Sequence, residues 1–337
     1  MYPVRILSID GGGIRGIIPL KILDYIEKKT GKPIHQLFNV IGGTSTGGII
    51  ALGLNSFKRD TKEVYKADDL MDFYTKDAKQ LFCPNRLSFG GFVSSMYKAQ
   101  SIESYLKDKF GATTLLNELP TDCDVTVYSY DLLKNEPFYF NNREERSVNP
   151  RFVWQAARAT SAAPTFFPAL ELKDGESLLS LIDGGMYINN PTLNLLIRAR
   201  YLYPKIDKKN QLLVSIGTGE FNPPKGYLKA KGKLSWAASL FDVTSMGTSS
   251  EAAYQTAELL ERLDPQVLHK DDEWEKRYYR FQKKFDKNIP MDGISSQQLA
   301  TLKKLGDELV KEQQEDLDGL CANLIKSIKS EVQISSS

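Results

Sequence analysis

Histidine is nearly absent from this chain of 337 residues, which has only His35 and His269. So little imidazole narrows the choice of general base and of zinc ligand before any motif is considered. Cysteine is almost as scarce. Cys83, Cys123 and Cys321 are odd in number and follow no framework spacing, which excludes a disulfide scaffold and points to free thiols in a reducing compartment. No apolar run approaches the ~18 residues of a membrane span. Excess charge is missing as well: 44 Lys+Arg against 42 Asp+Glu leave a formal net charge of +2, with no basic arm for nucleic acid. A first strand expected from Val4 leaves no room for a secretory leader ahead of it. These shortages together predict a cytoplasmic protein that meets a membrane only peripherally, when active.

Core-forming residues, by contrast, are plentiful: 41% are hydrophobic, enough at this length for one large domain. Short apolar runs at 4–9, 38–41, 178–182 and 212–216 alternate with helical patterns, which predicts an α/β fold with a largely parallel sheet covered on both faces. Helices are expected after the first glycine loop and over 60–82, 101–110, 152–160 and 192–201. A hairpin is expected for 124–131 with 137–140 across Lys134-Asn135. Residues 83–97 read either as a flap over a site or as a connecting loop. Residues 221–241 interleave Lys225, Lys229, Lys231 and Lys233 with Tyr227, Leu228, Leu234, Trp236 and Phe241, a mixture that suits a lipid headgroup surface as well as a solvated loop. Ser295 and Gln298 form a capping box before another helix. The main domain is expected over 1–310. Residues 311–337 follow as a C-terminal amphipathic helix bearing Leu317, Leu320, Leu324 and Ile328, with a frayed Ser-rich end.

Three strand ends run into glycines. The first is Asp10, followed by Gly11, Gly12, Gly13 and Gly16, a loop whose backbone N–H groups can face an anion. It matches the dinucleotide fingerprint, so a nucleotide-binding module stays open, although Asp10 would set negative charge beside a pyrophosphate. The second places Ser45 between Gly43 and Gly47, in a strand, sharp turn and helix that would expose a nucleophilic hydroxyl. The third is Asp183 before Gly184 and Gly185. Ser45 needs a base. His269, later in the chain than Ser45 and Asp183, would complete a triad, yet it lies in a charged stretch with Asp271, Asp272, Glu273 and Glu275 that reads as a solvated face or, less simply, as metal ligands. Asp183, rigid at a strand end, is the other candidate.

Asp10-Gly11-Gly12-Gly13-Ile14-Arg15-Gly16, Gly43-Thr44-Ser45-Thr46-Gly47 and Asp183-Gly184-Gly185, in that order, resemble the motifs of the patatin-like phospholipases. Ser161-Ala162-Ala163-Pro164-Thr165-Phe166-Phe167-Pro168, Asn189-Asn190-Pro191 and Tyr279-Arg280-Phe281-Gln282 are similar to that family as well, so the resemblance spans most of the chain. It implies a three-layer α/β/α patatin-like fold and hydrolysis of fatty acyl esters of phospholipids by a Ser45–Asp183 dyad through an acyl-enzyme. It further implies oxyanion-hole amides from Gly11, Gly12 and Gly13, and Arg15 facing the substrate phosphate. No metal or cofactor is implied. Some relatives are switched on by cyclic nucleotides, so the resemblance leaves a cyclic nucleotide or a protein open as an activator. A catalytically silent lipid-binding or storage protein of the same shape remains the third reading.

Overall fold

The computed structural model describes residues 2–85, 94–143, 149–207, 210–221, 233–262 and 276–335. Its strands are β1 (Val4–Ile9), β2 (Val40–Thr44), β3 (Asp124–Asp131), β4 (Glu136–Asn141), β5 (Leu170–Asp174), β6 (Ser177–Asp183), β7 (Gln211–Ile216), β8 (Glu220–Phe221), β9 (Tyr278–Phe281) and β10 (Lys284–Phe285). The helices are α1 (Ile17–Thr30), α2 (Ile34–Leu37), α3 (Thr46–Gly53), α4 (Ala67–Thr75), α5 (Ala78–Leu81), α6 (Ala99–Phe110), α7 (Val153–Thr160), α8 (Thr192–Leu202), α9 (Lys233–Ala257), α10 (Ser296–Glu312) and α11 (Gln314–Ser335).

An eight-stranded sheet runs in the order β5-β6-β3-β2-β1-β7-β9, with β4 also paired to β3; β8 and β10 form a separate small pair. Contacts among β3, β2, β1, β7 and β9 are parallel, and those of β4, β5 and β6 antiparallel. The strand alternation splits the core into two layers. Leu7 and Ile9 of β1 and Val214 of β7 pack with α1, α3, α4, α6, α7, α10 and α11 on one face. Val4, Ile6 and Leu213 pack with Leu195, Leu196 and Ala199 of α8 and with Leu260 on the other. Every residue of β1 and β7 is buried, as a parallel sheet between two helical layers requires. The result is a three-layer α/β/α fold around a mainly parallel sheet.

One detail of the pairing positions the candidate site. β4 covers β3 from Thr126 to Asp131 on one edge, so β2 and β6 must share the opposite edge. β2 runs parallel to β3 and ends with Thr44 beside Tyr128; β6 runs antiparallel and ends with Asp183 beside Ser129. Their carboxyl ends therefore meet head to head.

Several expectations change. The helix expected over 60–82 begins only at α4 and is followed by the short α5, because Lys62 takes a left-handed φ of 57° and Phe57 bridges to Val64. β5 is an additional strand, marked by the alternation of buried Leu170 and Leu172 with exposed Glu171 and Lys173. In the lysine-rich stretch, residues 222–232 lie outside the described residues, and from Lys233 the chain is the long helix α9 rather than a loop. Of residues 83–97, 86–93 lie outside the description; the flanks pair through Asn85 N–H to Met96 O (2.8 Å), and Tyr97 stacks on Phe166. The segment 311–337 packs into the core, the role its amphipathic pattern indicates. Its first residues finish α10, and α11 lies on α1 through buried Leu317, Leu320, Cys321 and Leu324, with Tyr25 donating to Asp318 at 2.6 Å. Leu320→Ala should accordingly destabilise the protein by about 2–5 kcal/mol in urea unfolding, the cost of a core cavity; a change under about 0.5 kcal/mol would make α11 a surface appendage.

Candidate active site

Ser45 sits between β2 and α3 with φ 54° and ψ −124°, a conformation that L-residues avoid. The chain can hold it there because Gly43 and Gly47 let backbone touch backbone: a Cβ on Gly43 would lie 2.2 Å from the Gly47 carbonyl, and one on Gly47 2.2 Å from the Ile9 carbonyl oxygen. Thr160, at the end of α7, clamps the turn by accepting from Ser45 N–H at 2.9 Å and donating to Tyr128 O at 2.6 Å. Nothing in the sequence points to Thr160, since a lone threonine 115 residues away carries no signal.

Asp183 is brought to Ser45 by the head-to-head ends of β2 and β6. It is fully buried, and Oδ1 accepts from Gly185 N–H at 2.7 Å. Burial pushes its carboxyl up to about 7, against the opposing pull of the Ser45 hydroxyl and the Gly185 amide. Oδ2 has no aligned hydrogen-bond partner, so Ser45 stands in electrostatic contact with the carboxylate without a fully formed bond. Catalytic hydrogen bonds are often loose before substrate arrives. Gly184 is required at its place, since a Cβ there would come within 2.6 Å of Tyr128 O.

The glycine loop closes the third side. Gly11 differs from expectation: its N–H donates to Asn189 O at 3.0 Å and is not available to an oxyanion. Gly12 and Gly13 retain that role as candidates, and Gly13 needs its freedom, with φ 57° and its α-carbon against Met291 O. The loop also leaves little space for a pyrophosphate, because Asn189, Thr218 and Met291 fill the positions where Cβ atoms of Gly11, Gly12 and Gly13 would project. Asp10 is held by Arg280 in a two-pronged ion pair at 2.9 and 2.6 Å, which assigns the Tyr279-Arg280-Phe281-Gln282 motif a structural purpose.

Two cavities adjoin the loop. Ser45 opens on a cavity of about 60 Å³ lined by apolar side chains that include Ile49, Phe82, Ile102, Phe166 and Phe241. Arg15 lines the other, a polar cavity bounded by Gly12, Asn189, Asp242 and Ser249. Its guanidinium is buried, with Nε lacking a partner; burial lowers it to about 10, against the pull of Asp242, so it stays cationic near neutrality. His35 lies in α2, ahead of the amino end of β2 and so at the far end of the sheet from Ser45; His269 lies outside the described residues. Among the described residues no cluster of His, Cys, Asp or Glu could hold a metal ion, and no helix is long and apolar enough to cross a membrane.

Known proteins are similar to this chain along most of its length. The family model described as patatin-like phospholipase matches residues 7–196, more than half of the chain. Patatin-like protein 2 of Oryza sativa subsp. indica is 28% identical over 351 residues, covering 91% of this chain and 84% of that protein. Calcium-independent phospholipase A2-gamma of Homo sapiens is 28% identical over 350 residues, covering 98% of this chain but only 41% of its own length. A Solanum tuberosum relative named probable inactive patatin-3-Kuras 1 is also 28% identical, over 78% of this chain and 76% of its own. Among solved structures, VipD from Legionella pneumophila aligns with 96% of this chain and 67% of its own, at 12% identity and a TM-score of 0.47. With its glycine loop and serine turn lining one apolar pocket and its buried aspartate strand end meeting that turn, the chain belongs to the patatin-like phospholipase family.

Proposed function

We propose that the protein is a lipid acyl hydrolase of phospholipase A type that works through Ser45 and Asp183. The observation that carries this reading is the buried Asp183 carboxyl, raised to about 7 with no cation among its influences, set against a serine held at a strained turn facing an apolar cavity. Family membership and the phospholipase relatives support lipid hydrolysis in general terms.

In this mechanism Asp183 takes the proton from Ser45 as Oγ attacks the ester carbonyl carbon. The C=O electrons move onto oxygen, and the oxyanion is received by the Gly12 and Gly13 amides. Collapse expels the glycerol alkoxide, which takes the proton from Asp183 and leaves an acyl-enzyme. A water then gives its proton to Asp183, attacks the acyl carbon and releases the fatty acid while Ser45 is reprotonated. A carboxyl near 7 is matched to both transfers, basic enough to accept and acidic enough to return the proton. Arg15, still charged, is assigned to the substrate phosphate in the polar cavity on the other flank of the glycine loop. The acyl chain enters the apolar cavity, whose small volume means that its aromatic lining must part.

Ser45→Ala and Asp183→Asn should each lower hydrolysis of a soluble short acyl ester by about a thousandfold or more while leaving the fold intact. Equal activity in either variant, or no labelling of the native protein by a serine-directed fluorophosphonate, would overturn the dyad. Because the base must be ionised, kcat/KM should rise with pH through an inflection near 7; a profile flat from pH 5 to 9 contradicts the assignment. Stability should respond in the opposite sense. The folded-state value lies above the ordinary 3.8, so the stability contributed by Asp183 falls as pH rises from about 4 to about 7 and levels off beyond. Asp183→Asn removes that charge and keeps an acceptor for Gly185 N–H, so its Tm advantage should widen over the same interval.

A further inference from the structure

We infer that the tip of the β3–β4 hairpin, with Leu178 of β6 beside it, is the surface by which the protein docks on a phospholipid layer. This rests on the acyl-hydrolase reading above for its purpose. Leu132, Leu133 and Leu178 are 49%, 58% and 45% exposed. Tight turns are ordinarily built from Gly, Asn, Asp and Ser, whose polarity suits water. Here those duties are met by neighbours: Asn135 takes the left-handed position with φ 56°, and Asp131 Oδ1 accepts from Leu133 N–H at 3.0 Å and from Ser180 N–H at 3.2 Å. Leu132 N–H donates to Ser180 O at 2.8 Å, which holds the tip against β6 and sets Leu178, two residues before Ser180, in its vicinity. The backbone is thus fixed without help from the leucine side chains, which project from a rigid support.

Their position supplies the reason to keep them. Leu132 follows by three residues the Ser129 that pairs with Asp183, roughly 10 Å along the strand. The tip therefore stands at the carboxyl end of the sheet, roughly 10 Å beyond the level of the candidate dyad. Exposed apolar groups reach the same end from a second element: Leu240 and Val243 of α9, 52% and 47% exposed, are close in sequence to Phe241, which lines the Ser45 cavity and touches Gly185. A protein seated over these leucines would crowd the approach to Ser45, whereas a lipid layer seated there would present its acyl esters to it. Exposed Lys134 and Lys173 are offset by exposed Glu136 and Glu176, so apolar transfer rather than charge drives the contact.

The test is flotation with phosphatidylcholine vesicles, using the full chain carrying Ser45→Ala so that no turnover intervenes. Leu132→Asp with Leu133→Asp should lower vesicle partition by at least about tenfold, since each half-exposed leucine contributes roughly fivefold, and raised salt should change it little. With Ser45 intact, the same double change should leave hydrolysis of a monomeric soluble ester unaltered while vesicle hydrolysis falls in step with binding. As an independent readout on a folded protein, Leu133→Trp should add a fluorescence component that shifts to the blue on vesicle addition. Wild-type partition by the double variant, or an added indole emission in Leu133→Trp that is indifferent to vesicles, overturns the inference. So does a wild-type dimer that the double variant dissolves, which would make this face a contact between copies. If the leucines govern flotation while no ester is hydrolysed, the docking surface stands and the acyl-hydrolase reading falls.

Discussion

The candidate site depends on a single constraint of sheet geometry, the sharing of one edge of β3 by two strands that approach each other from opposite directions. β2 and β6 stop where they meet, at Tyr128 and Ser129, and each delivers its last residues to that point. Ser45 and Asp183, far apart in the chain, become neighbours because the hydrogen-bond register leaves them nowhere else to be. β4 enforces this by occupying the other edge, and Thr160 reinforces it by tying Ser45 N–H to Tyr128 O across the junction. The small residues around the junction have the same origin. Gly43, Gly47 and Gly184 lie where a Cβ would strike backbone of the opposing segment.

Two buried aspartates show how environment divides chemically identical groups. Asp10 and Asp183 both end strands and both precede glycine. Asp10 faces the Arg280 guanidinium at 2.6 and 2.9 Å, a pairing that counters part of the burial that still raises its carboxyl and that fastens β1 to β9 across β7. No basic side chain appears among the influences on Asp183, so burial acts on it with little relief and lifts it to about 7. The first is a brace, and the second, without such a tie, is the candidate base.

Helix α9 reverses the usual arrangement of a surface helix. Its covered side bonds through hydroxyls, Ser245 to Gly185 O at 3.1 Å and Ser249 to Asn189 at 2.8 Å, while Leu240, Val243 and Tyr254 face outward. Such contacts exchange readily with water, each contributing only about 1 kcal/mol net. Bonds of this kind hold the helix whose Phe241 lines the cavity of about 60 Å³ at Ser45.

The alternation of apolar strands and helices, the glycine-bounded Ser45 and the glycines after Asp10 and Asp183 were legible in the sequence, because each records a local demand. Periodicity reports which faces are buried, and glycine reports where backbone must come close or turn left-handed. The helix start at Ala67 and the course of α9 were not legible: one is fixed by a left-handed Lys62, and the other, over its described side chains 240–257, buries Ser245, Ser249 and Thr256 rather than an apolar stripe. The partners of the site residues were also out of reach. Thr160 lies 115 residues from Ser45 and Arg280 lies 270 from Asp10, so only folding could name them. The engagement of Gly11 N–H by Asn189, which narrows the oxyanion candidates to two amides, is likewise a matter of which chain segment passes beside the loop. The sequence by itself determined the layered fold, the serine turn and the candidate carboxylate. Tertiary structure alone decided how they meet, because burial, register and hydrogen-bond partnership arise between segments that carry no trace of one another in their order along the chain.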